Sequence, residues 1–453
     1  MPTPTADAVV CGAGIAGIAA AYHLTRSGMR DVVLIEAGEP LSLTSDKSTE
    51  CYRNFWPGPG DGMVRLMNRS LDQLEALADA TGNAFHLNRR GYLYCTSDSA
   101  RLEMLRRAAE ESSALGAGPV RIHPGFPQAY QPEAAGAPTD GFDLLTDPTL
   151  LRSHFPALST GLVGALHVRR AGWFSAQQLG RLLLDQAREA GVRLVHGEVQ
   201  AVETRRSRVQ AVRVASDSGA LELSTPVFVN AAGPFVKQVA HMLGADLPVV
   251  SEVHAKASFR DVLGAVPRQA PLLILSDPQT LNWSDEERAA LRQAGDDQLL
   301  GEMPSGVHAR PEGPADSPIL LALWPYHTPA CEPSFPLAFD QAYPEVVLRG
   351  LSTLLPGVRV YLERMPRPFV DGGYYTRTRE NRPLIGPLGP PGSFVIGALS
   401  GFGLMAALGA GELLCAHVTG GPLPDHARWF LPSRYDDPAY RSLLDSWEAT
   451  GQL

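Results

Sequence analysis

Residues 9–24 read VVCGAGIAGIAAAYHL. A short apolar run, Ala8-Val9-Val10-Cys11, meets three glycines, Gly12, Gly14 and Gly17, and then an alanine-rich stretch with helical spacing that runs to about Ser27. Gly28 stands where such a helix ends, and DVVLIE follows as a second buried-type strand. Strand, glycine turn, helix and strand are the start of a βαβ unit. The turn fits G-x-G-x-x-G. Its first glycine permits a tight turn, its second lets backbone approach a pyrophosphate, and its third lets helix pack close to strand. The helix N-terminus offers free N–H groups and a positive dipole end to the phosphates. Glycines at a strand–helix turn can be purely structural; Glu36 decides against that here. It ends the second strand about twenty residues on, where a carboxylate accepts from a ribose 2′-hydroxyl. An acid there repels a 2′-phosphate, which disfavours NADP. Its spacing does not separate NAD from FAD.

A similar device closes the chain. Residues 400–418 read SGFGLMAALGAGELLCAHV, again a glycine-rich turn opening an apolar helix. Two glycine-gated helix starts suit the two ends of one long anionic cofactor. Gly401 and Gly403 allow close backbone approach, and Leu404 and Met405 add N–H groups. Reduced flavin spreads negative charge over N1 and the C2 carbonyl, which a helix N-terminus stabilises. The competing account of this turn is an ordinary helix start in a seam of small residues.

The chain has 453 residues, enough for two or three domains. Hydrophobic residues make up 44% and charged ones 19%, with a formal net charge of −9 and both signs interspersed. That balance argues against a nucleic-acid-binding face and a polybasic membrane anchor. Five scattered cysteines without a CxxC pair argue against a disulfide framework and a cysteine-based zinc site, and point to a reducing, cytoplasmic setting. No basic segment precedes the first apolar run, so no secretory signal is expected, and no apolar run reaches the ~20 residues of a membrane span. A soluble protein without a metal is expected, as a monomer or homo-oligomer.

Between the two glycine turns, helical spacing is expected over 70–80, 100–115 and 177–190. Residues 118–148 are rich in Pro, Gly and Ala and predict a surface loop and a seam. VRLVHG, GEVQAVET and RVQAVRV predict a three-strand meander, and PVFVN a buried strand leading to NAAGPF. After Ala245 the texture changes to long, partly exposed strands, VVSEVHAKASF and PILLALWPYHT, separated by a polar excursion over 276–317. The reading is an α/β chain, a Rossmann-like FAD-binding domain (1–90, 157–245, 370–453) interleaved with an α+β substrate domain on an antiparallel sheet (91–156, 246–369).

The succession GAGIAG…VVLIEAG, LTSDKST, GEVQAVET, NAAGPF, YYTRTRENRPLIGP and SGFGLMAALGAGELL resembles the D-amino-acid oxidase family of FAD enzymes. Within it the pattern is similar to glycine and sarcosine oxidases and dimethylglycine dehydrogenases. The resemblance covers nearly the whole chain in order, and is weak only in the proline-rich loop and the 276–317 excursion. It implies FAD as cofactor, with Gly12, Gly14, Ile15, Ala16 and Gly17 at the pyrophosphate and Glu36 and Ala37 at the adenosine ribose. It further implies Ser45, Ser48 and Thr49 as phosphate and flavin donors, Val199 at adenine, and Ala232 and Gly233 where the cofactor passes close to backbone. The turn Gly401, Gly403, Leu404 and Met405 falls against the pyrimidine side of the flavin. Sarcosine-oxidase-like members link flavin through a cysteine where this chain has Gly373, and dimethylglycine-dehydrogenase-like members through a histidine near Glu50 and Cys51. A non-covalent flavin follows, with Cys51 close enough to keep in view.

The same resemblance implies an enzyme that oxidises a C–N bond of a small amino acid, N-methyl amino acid or cyclic imino acid. Such chemistry needs a substrate carbon held over flavin N5, an amine able to lose its proton and a cation for any carboxylate. Arg53 falls where sarcosine-oxidase-like members hold the carboxylate; the alternative is a solvated surface charge. Tyr375 stands in place of the C-terminal arginine of glycine and D-amino-acid oxidases, which favours an N-alkylated substrate. Tyr374 and Tyr375 either wall the pocket or fill the core. His254 and Lys256, two apart on a strand, share one face. Facing the pocket, His254 takes the amine proton and Lys256 promotes reaction with oxygen; facing out from an edge strand, both are solvated. Tyr326 and His327 are further candidates, and the 276–317 excursion, with its Trp283, either covers or narrows the pocket or forms an oligomer contact. Electrons pass to oxygen or another acceptor.

Three other classes are open to test. A dithiol reductase needs a second GxGxxG and a cysteine pair, both missing. A tRNA-modifying flavoprotein suits the acidic balance poorly. The remaining alternative is a flavin-binding redox subunit, or a dehydrogenase of a non-amine substrate that passes electrons to an acceptor other than oxygen.

Overall fold

The computed structural model describes residues 4–125, 130–132, 139–217 and 219–447. Two large sheets organise them. The first has eight strands in the order Gly219–Ser224, Arg208–Ser216, Arg193–Arg205, Val32–Glu36, Ala8–Cys11, Phe228–Asn230, Ser393–Gly397 and Leu384–Pro387. Its central five strands run parallel and its margins antiparallel. Parallel strands must be covered on both faces, and the period of two in the first strand shows how. Ala8 and Val10 face a core shared with the helices Ile15–Arg26, Ala176–Glu189 and Gly403–Thr419, while Val9 and Cys11 face a second core built with Val199, Val212, Val214 and Val236. The βαβ start and the closing glycine-gated helix are both present, and the two helices pack on one another.

The second sheet has ten strands, in the path Ala330–Cys331, Val250–Arg260, Ile319–Leu323, His308–Glu312, Leu272–Leu275, Tyr92–Thr96, Gly164–Val168, Phe142–Leu145 and Val120–His123, with Phe369–Arg377 also on Val250–Arg260. It is antiparallel except for two pairs, and the helix Tyr343–Leu354 packs into its core.

Several sequence expectations are corrected here. Gly164–Val168 lies within a stretch read as part of the first domain, and Phe369–Arg377 runs from the last residue of the second into the first; both pair in the second sheet. An apolar strand does not reveal locally which sheet it will join. VRLVHG and GEVQAVET form one continuous strand, Arg193–Arg205, and the meander is completed by Gly219–Ser224. The 118–148 stretch contributes two strands of the second sheet, Val120–His123 and Phe142–Leu145; within it, 126–129 and 133–138 lie outside the described residues. The 276–317 excursion rejoins that sheet at His308–Glu312. Val250–Arg260 pairs along most of its length with Phe369–Arg377, and on its other side only at Ser251–Glu252 and Ala257–Arg260, so His254 and Lys256 lie in a gap between two partner strands and are part-buried there, not solvated.

Among the described residues no helix is long and apolar enough to cross a membrane. None of their His, Cys, Asp and Glu side chains form a group able to hold a metal ion. All five cysteines are free.

Candidate functional site

The two sheets meet along a groove that runs past both glycine-gated helix starts. Gly14, Ile15 and Ala16 line it from the first helix, Thr44, Ser45 and Ser48 from a short 3-10 turn, and Ala231, Gly233 and Pro234 from the end of a central strand. Tyr374–Thr376 and Ile396–Leu404 complete it. At the first helix the earliest intrahelical bond runs from Ile18 N to Gly14 O, and Ile15 N instead donates to Ser45 Oγ at 3.0 Å. At the last helix the earliest such bond runs from Ala406 N to Phe402 O, so the N–H groups of Gly403, Leu404 and Met405 stand outside the ladder. Both ends of the groove therefore carry backbone donors and positive dipole ends, the chemistry a dinucleotide with a flavin requires. The residues fit FAD on that ground.

The backbone of this groove is strained where it is most closely shaped. Ala398 and Ser400 hold left-handed φ angles of 53° and 48°, and Glu50 one of 59°. Each such non-glycine residue costs about 1 kcal/mol or more and persists only where its surroundings fix it. Ser400 N donates to Thr376 O at 2.9 Å and so ties the closing turn to the second sheet.

Other expected cofactor residues stand apart from the groove walls. Gly12 and Gly17 pack closely on each other: a Cβ on Gly17 would lie 1.8 Å from Gly12 O, so the glycines let the helix close against the turn. Glu36 accepts from Ala13 N at 2.7 Å and from Gly38 N at 2.9 Å, which locks the glycine turn to the second strand. Ala37 is exposed just beyond it. Val199 is buried in the far-side core, where pairing of its strand with Val32–Glu36 has already stopped at His196. Ala232 N takes the Asn230 side chain at 3.3 Å.

A cavity of about 360 Å3 opens from the groove, sharing Tyr375, Ser400 and Gly401 with it. Thr49, Cys51, Arg53, Trp56 and Tyr92 form one wall, Glu252, His254, Tyr375 and Arg377 another, and Met405 and Phe402 lie at the closing helix. Arg53 is 7% exposed, far from a solvated charge. Its guanidinium lies 4.6 Å from the Trp56 ring centroid, and its Nε donates to Phe55 O at 3.3 Å. The His254 and Tyr375 rings stack with centroids 3.9 Å apart. Burial lowers the His254 pKa, against the pull of Glu252, whose Oε2 is 3.5 Å from Nε2. Arg377 is paired with Glu252.

Lys256 shares the strand face with His254 but serves the neighbouring turn. Its Nζ donates to Asp46 O at 3.2 Å and Ser48 O at 3.1 Å, and burial lowers its pKa while Glu50 opposes. Tyr374 is held by Ser334 through its hydroxyl. Tyr326 and His327 are not in the cavity wall, although Pro325 and Thr328 are. Trp283 is a core residue, with Nε1 donating to Leu299 O at 2.9 Å and Arg349 4.0 Å from its ring.

The sequence reading missed His308. It lines the cavity from the start of its strand, is 5% exposed, and its Nδ1 lies 2.8 Å from Gly306 O. Burial pushes its pKa down to about 4. A proton on Nδ1 donated to that carbonyl leaves Nε2 as the lone-pair nitrogen. Nothing in GVHARPE marks this histidine, because the 276–317 stretch has no motif to align it.

His308 carries a pH prediction. Its pKa falls from 6.5 unfolded to about 4 folded, so between those values the unfolded chain binds the extra proton. Its stabilising share is therefore intact above pH 6.5 and is lost as pH falls toward 4. Urea unfolding at pH 7 and pH 5 should show His308→Gln losing less stability on acidification than the native protein, by about 2 kcal/mol. Equal losses would refute the burial account.

A family model described as DAO, FAD dependent oxidoreductase, matches residues 7–417. The chain is 23% identical over 437 residues to the mitochondrial dimethylglycine dehydrogenase of Rattus norvegicus, covering 95% of this chain and 45% of that protein. It thus spans less than half the length of that relative. Its fold matches L-proline dehydrogenase from P. horikoshii with a TM-score of 0.73 at 18% identity, covering 96% of this chain and 98% of the other. It also matches glycine oxidase from Geobacillus kaustophilus with a TM-score of 0.70 at 17% identity, covering 93% and 96%.

Proposed function

The chain belongs to the DAO family of FAD-dependent oxidoreductases, and from that premise we propose that it oxidises a C–N bond of a small amino acid, N-methyl amino acid or cyclic imino acid. The observation that carries this is the single cavity that joins Arg53, His254 and His308 to the cofactor groove at Tyr375, Ser400 and Gly401. The relatives support it: those named above act, by their names, on dimethylglycine, proline and glycine.

When bound, the flavin supplies a two-electron acceptor at N5 for the substrate's C–H hydride. The chain's own residues bind and orient. Arg53 receives the carboxylate in its planar fork, with its guanidinium 4.6 Å from the Trp56 ring centroid. His308, neutral at pH 7, accepts a hydrogen bond from the amine at Nε2, so no second cation opposes the loss of the ammonium proton. His254 and Tyr375 form a flat wall that keeps water from the reacting carbon. Gly14, Ile15, Ala16, Ser45, Ser48, Gly233, Gly401, Gly403 and Leu404 hold the cofactor along the groove, with Glu36 setting the glycine turn.

The flavin is proposed to be non-covalent. Gly373 has no side chain to form a thioether, and its Cα packs against Thr44 and Lys47. Glu50 is engaged with Ala176 N and Arg310. The free cysteines suit a reducing, cytoplasmic location. Oxygen or another acceptor re-oxidises the flavin.

The test is an anaerobic visible spectrum of FAD-loaded protein titrated with sarcosine, dimethylglycine, proline, glycine and D-alanine. Bleaching by an N-alkylated or cyclic amino acid is expected, and readmitted air then separates oxidase from dehydrogenase. A flavin that stays oxidised with every amine sinks the proposal and leaves a redox subunit or a non-amine substrate.

A further inference from the structure

We propose that the substrate carries an apolar or aromatic arm, received by a second cavity beside the catalytic one; the proposal rests on the amine-oxidation reading above and specifies its substrate class. This second cavity has a volume of about 280 Å3 and shares Arg53, Trp56, Ser305 and Gly306 with the first. The two spaces therefore share a wall that includes the arginine assigned to the carboxylate. Beyond that junction the walls turn apolar. Phe55 and Tyr94 pack edge to face at 5.4 Å, and Leu105, Ala108 and Ile274 continue the lining. Besides Arg53 the one charged wall residue is Arg101, whose Nη1 donates to Ser276 O at 3.2 Å.

The catalytic cavity alone offers little room for such an arm. Its side at Ser400, Gly401, Phe402 and Met405 adjoins the helix start assigned to the flavin, so part of its 360 Å3 belongs to the ring system. What remains holds the amino-acid core. A carboxylate seated on Arg53 puts the substituent of that core at the opening into the second cavity. Apolar walls there favour removing hydrocarbon from water.

The experiment uses FAD-loaded protein and carboxylates that have no oxidisable amine, with binding read from the perturbed flavin spectrum. Between acetate and 4-phenylbutyrate, affinity should rise at least about tenfold. In Ala108→Phe, which fills the second cavity from its helix, that preference should vanish. Should Ala108→Phe not fold, Leu105→Ala widens the same space and should favour 2-naphthylacetate over its native affinity. Equal native affinities for acetate and phenylbutyrate overturn the inference. So does an Ala108→Phe protein that keeps the full preference, or a Leu105→Ala protein with none gained. The two readings fail separately. Amine bleaching without a chain-length preference removes only the arm subsite, and a preference without bleaching by any amine, the arm-bearing N-methylphenylalanine included, removes only the amine chemistry.

Discussion

Replacing Arg53 by lysine lowers kcat/KM about a hundredfold for an N-methyl amino acid and leaves a carboxylate-free secondary amine such as dimethylamine nearly unaffected. A charge-assisted hydrogen bond contributes about 1.5–3 kcal/mol, and a bidentate fork adds geometry that one ammonium does not reproduce. Lysine keeps the charge, so the change isolates the fork and the stacking on Trp56. Arg53→Met costs more, because the side chain is buried and its Nε holds Phe55 O. The loss should appear chiefly in KM, since the carboxylate is bound before and during the reaction alike. Steady-state kinetics on the paired substrates decides it. Equal losses on both would mean that Arg53 supports the cavity wall and does not touch substrate.

The second large effect comes from the glycine turn. Gly17→Ala puts a Cβ 1.8 Å from Gly12 O, a backbone atom that has nowhere to go, because a Cβ on Gly12 would itself lie 2.5 Å from Ala231 O. Helix Ile15–Arg26 must lift off the sheet, with a loss of about 3 kcal/mol or more and of the donors that face the cofactor. The expected result is protein purified without FAD and a lowered thermal midpoint. Gly28→Ala is the matching control. Its φ of 104° is strained for alanine, yet nothing lies within 4 Å of the added carbon. It should cost about 1–2 kcal/mol and retain FAD. If both variants bind FAD equally, the close helix–strand approach is not what builds the cofactor site.

Much of the cofactor groove was legible in the chain itself. The conditions for a dinucleotide turn are local: a tight bend, a close approach and a helix start lie within six consecutive residues, and Glu36 follows on the next strand. The closing turn at Gly401 and Gly403 was legible for the same reason. Hydrophobic periodicity placed Ser99–Ser112 and Ala176–Glu189 and the second half of Gly62–Ala80, because each buries one face whatever its neighbour turns out to be; it did not mark Asp285–Ala294 or Tyr343–Leu354.

Strand partnership was not written locally. Gly164–Val168 and Phe369–Arg377 have the apolar runs of either sheet, and their pairing with Tyr92–Thr96 and Val250–Arg260 is settled by contacts far away in sequence. The cavity follows that choice. Arg53, His254, His308, Tyr375 and Met405 come from five separate segments, and each becomes a wall only because a particular face of its strand or helix turns inward. Lys256 shows how narrow the margin is, since it shares a strand face with His254 and is claimed by the carbonyls of Asp46 and Ser48. So the sequence by itself determined the cofactor class and the βαβ frame, where the physical requirements sit on neighbouring residues. Only the tertiary structure decided which side chains line the cavity, because burial and facing there depend on long-range packing that no single segment encodes.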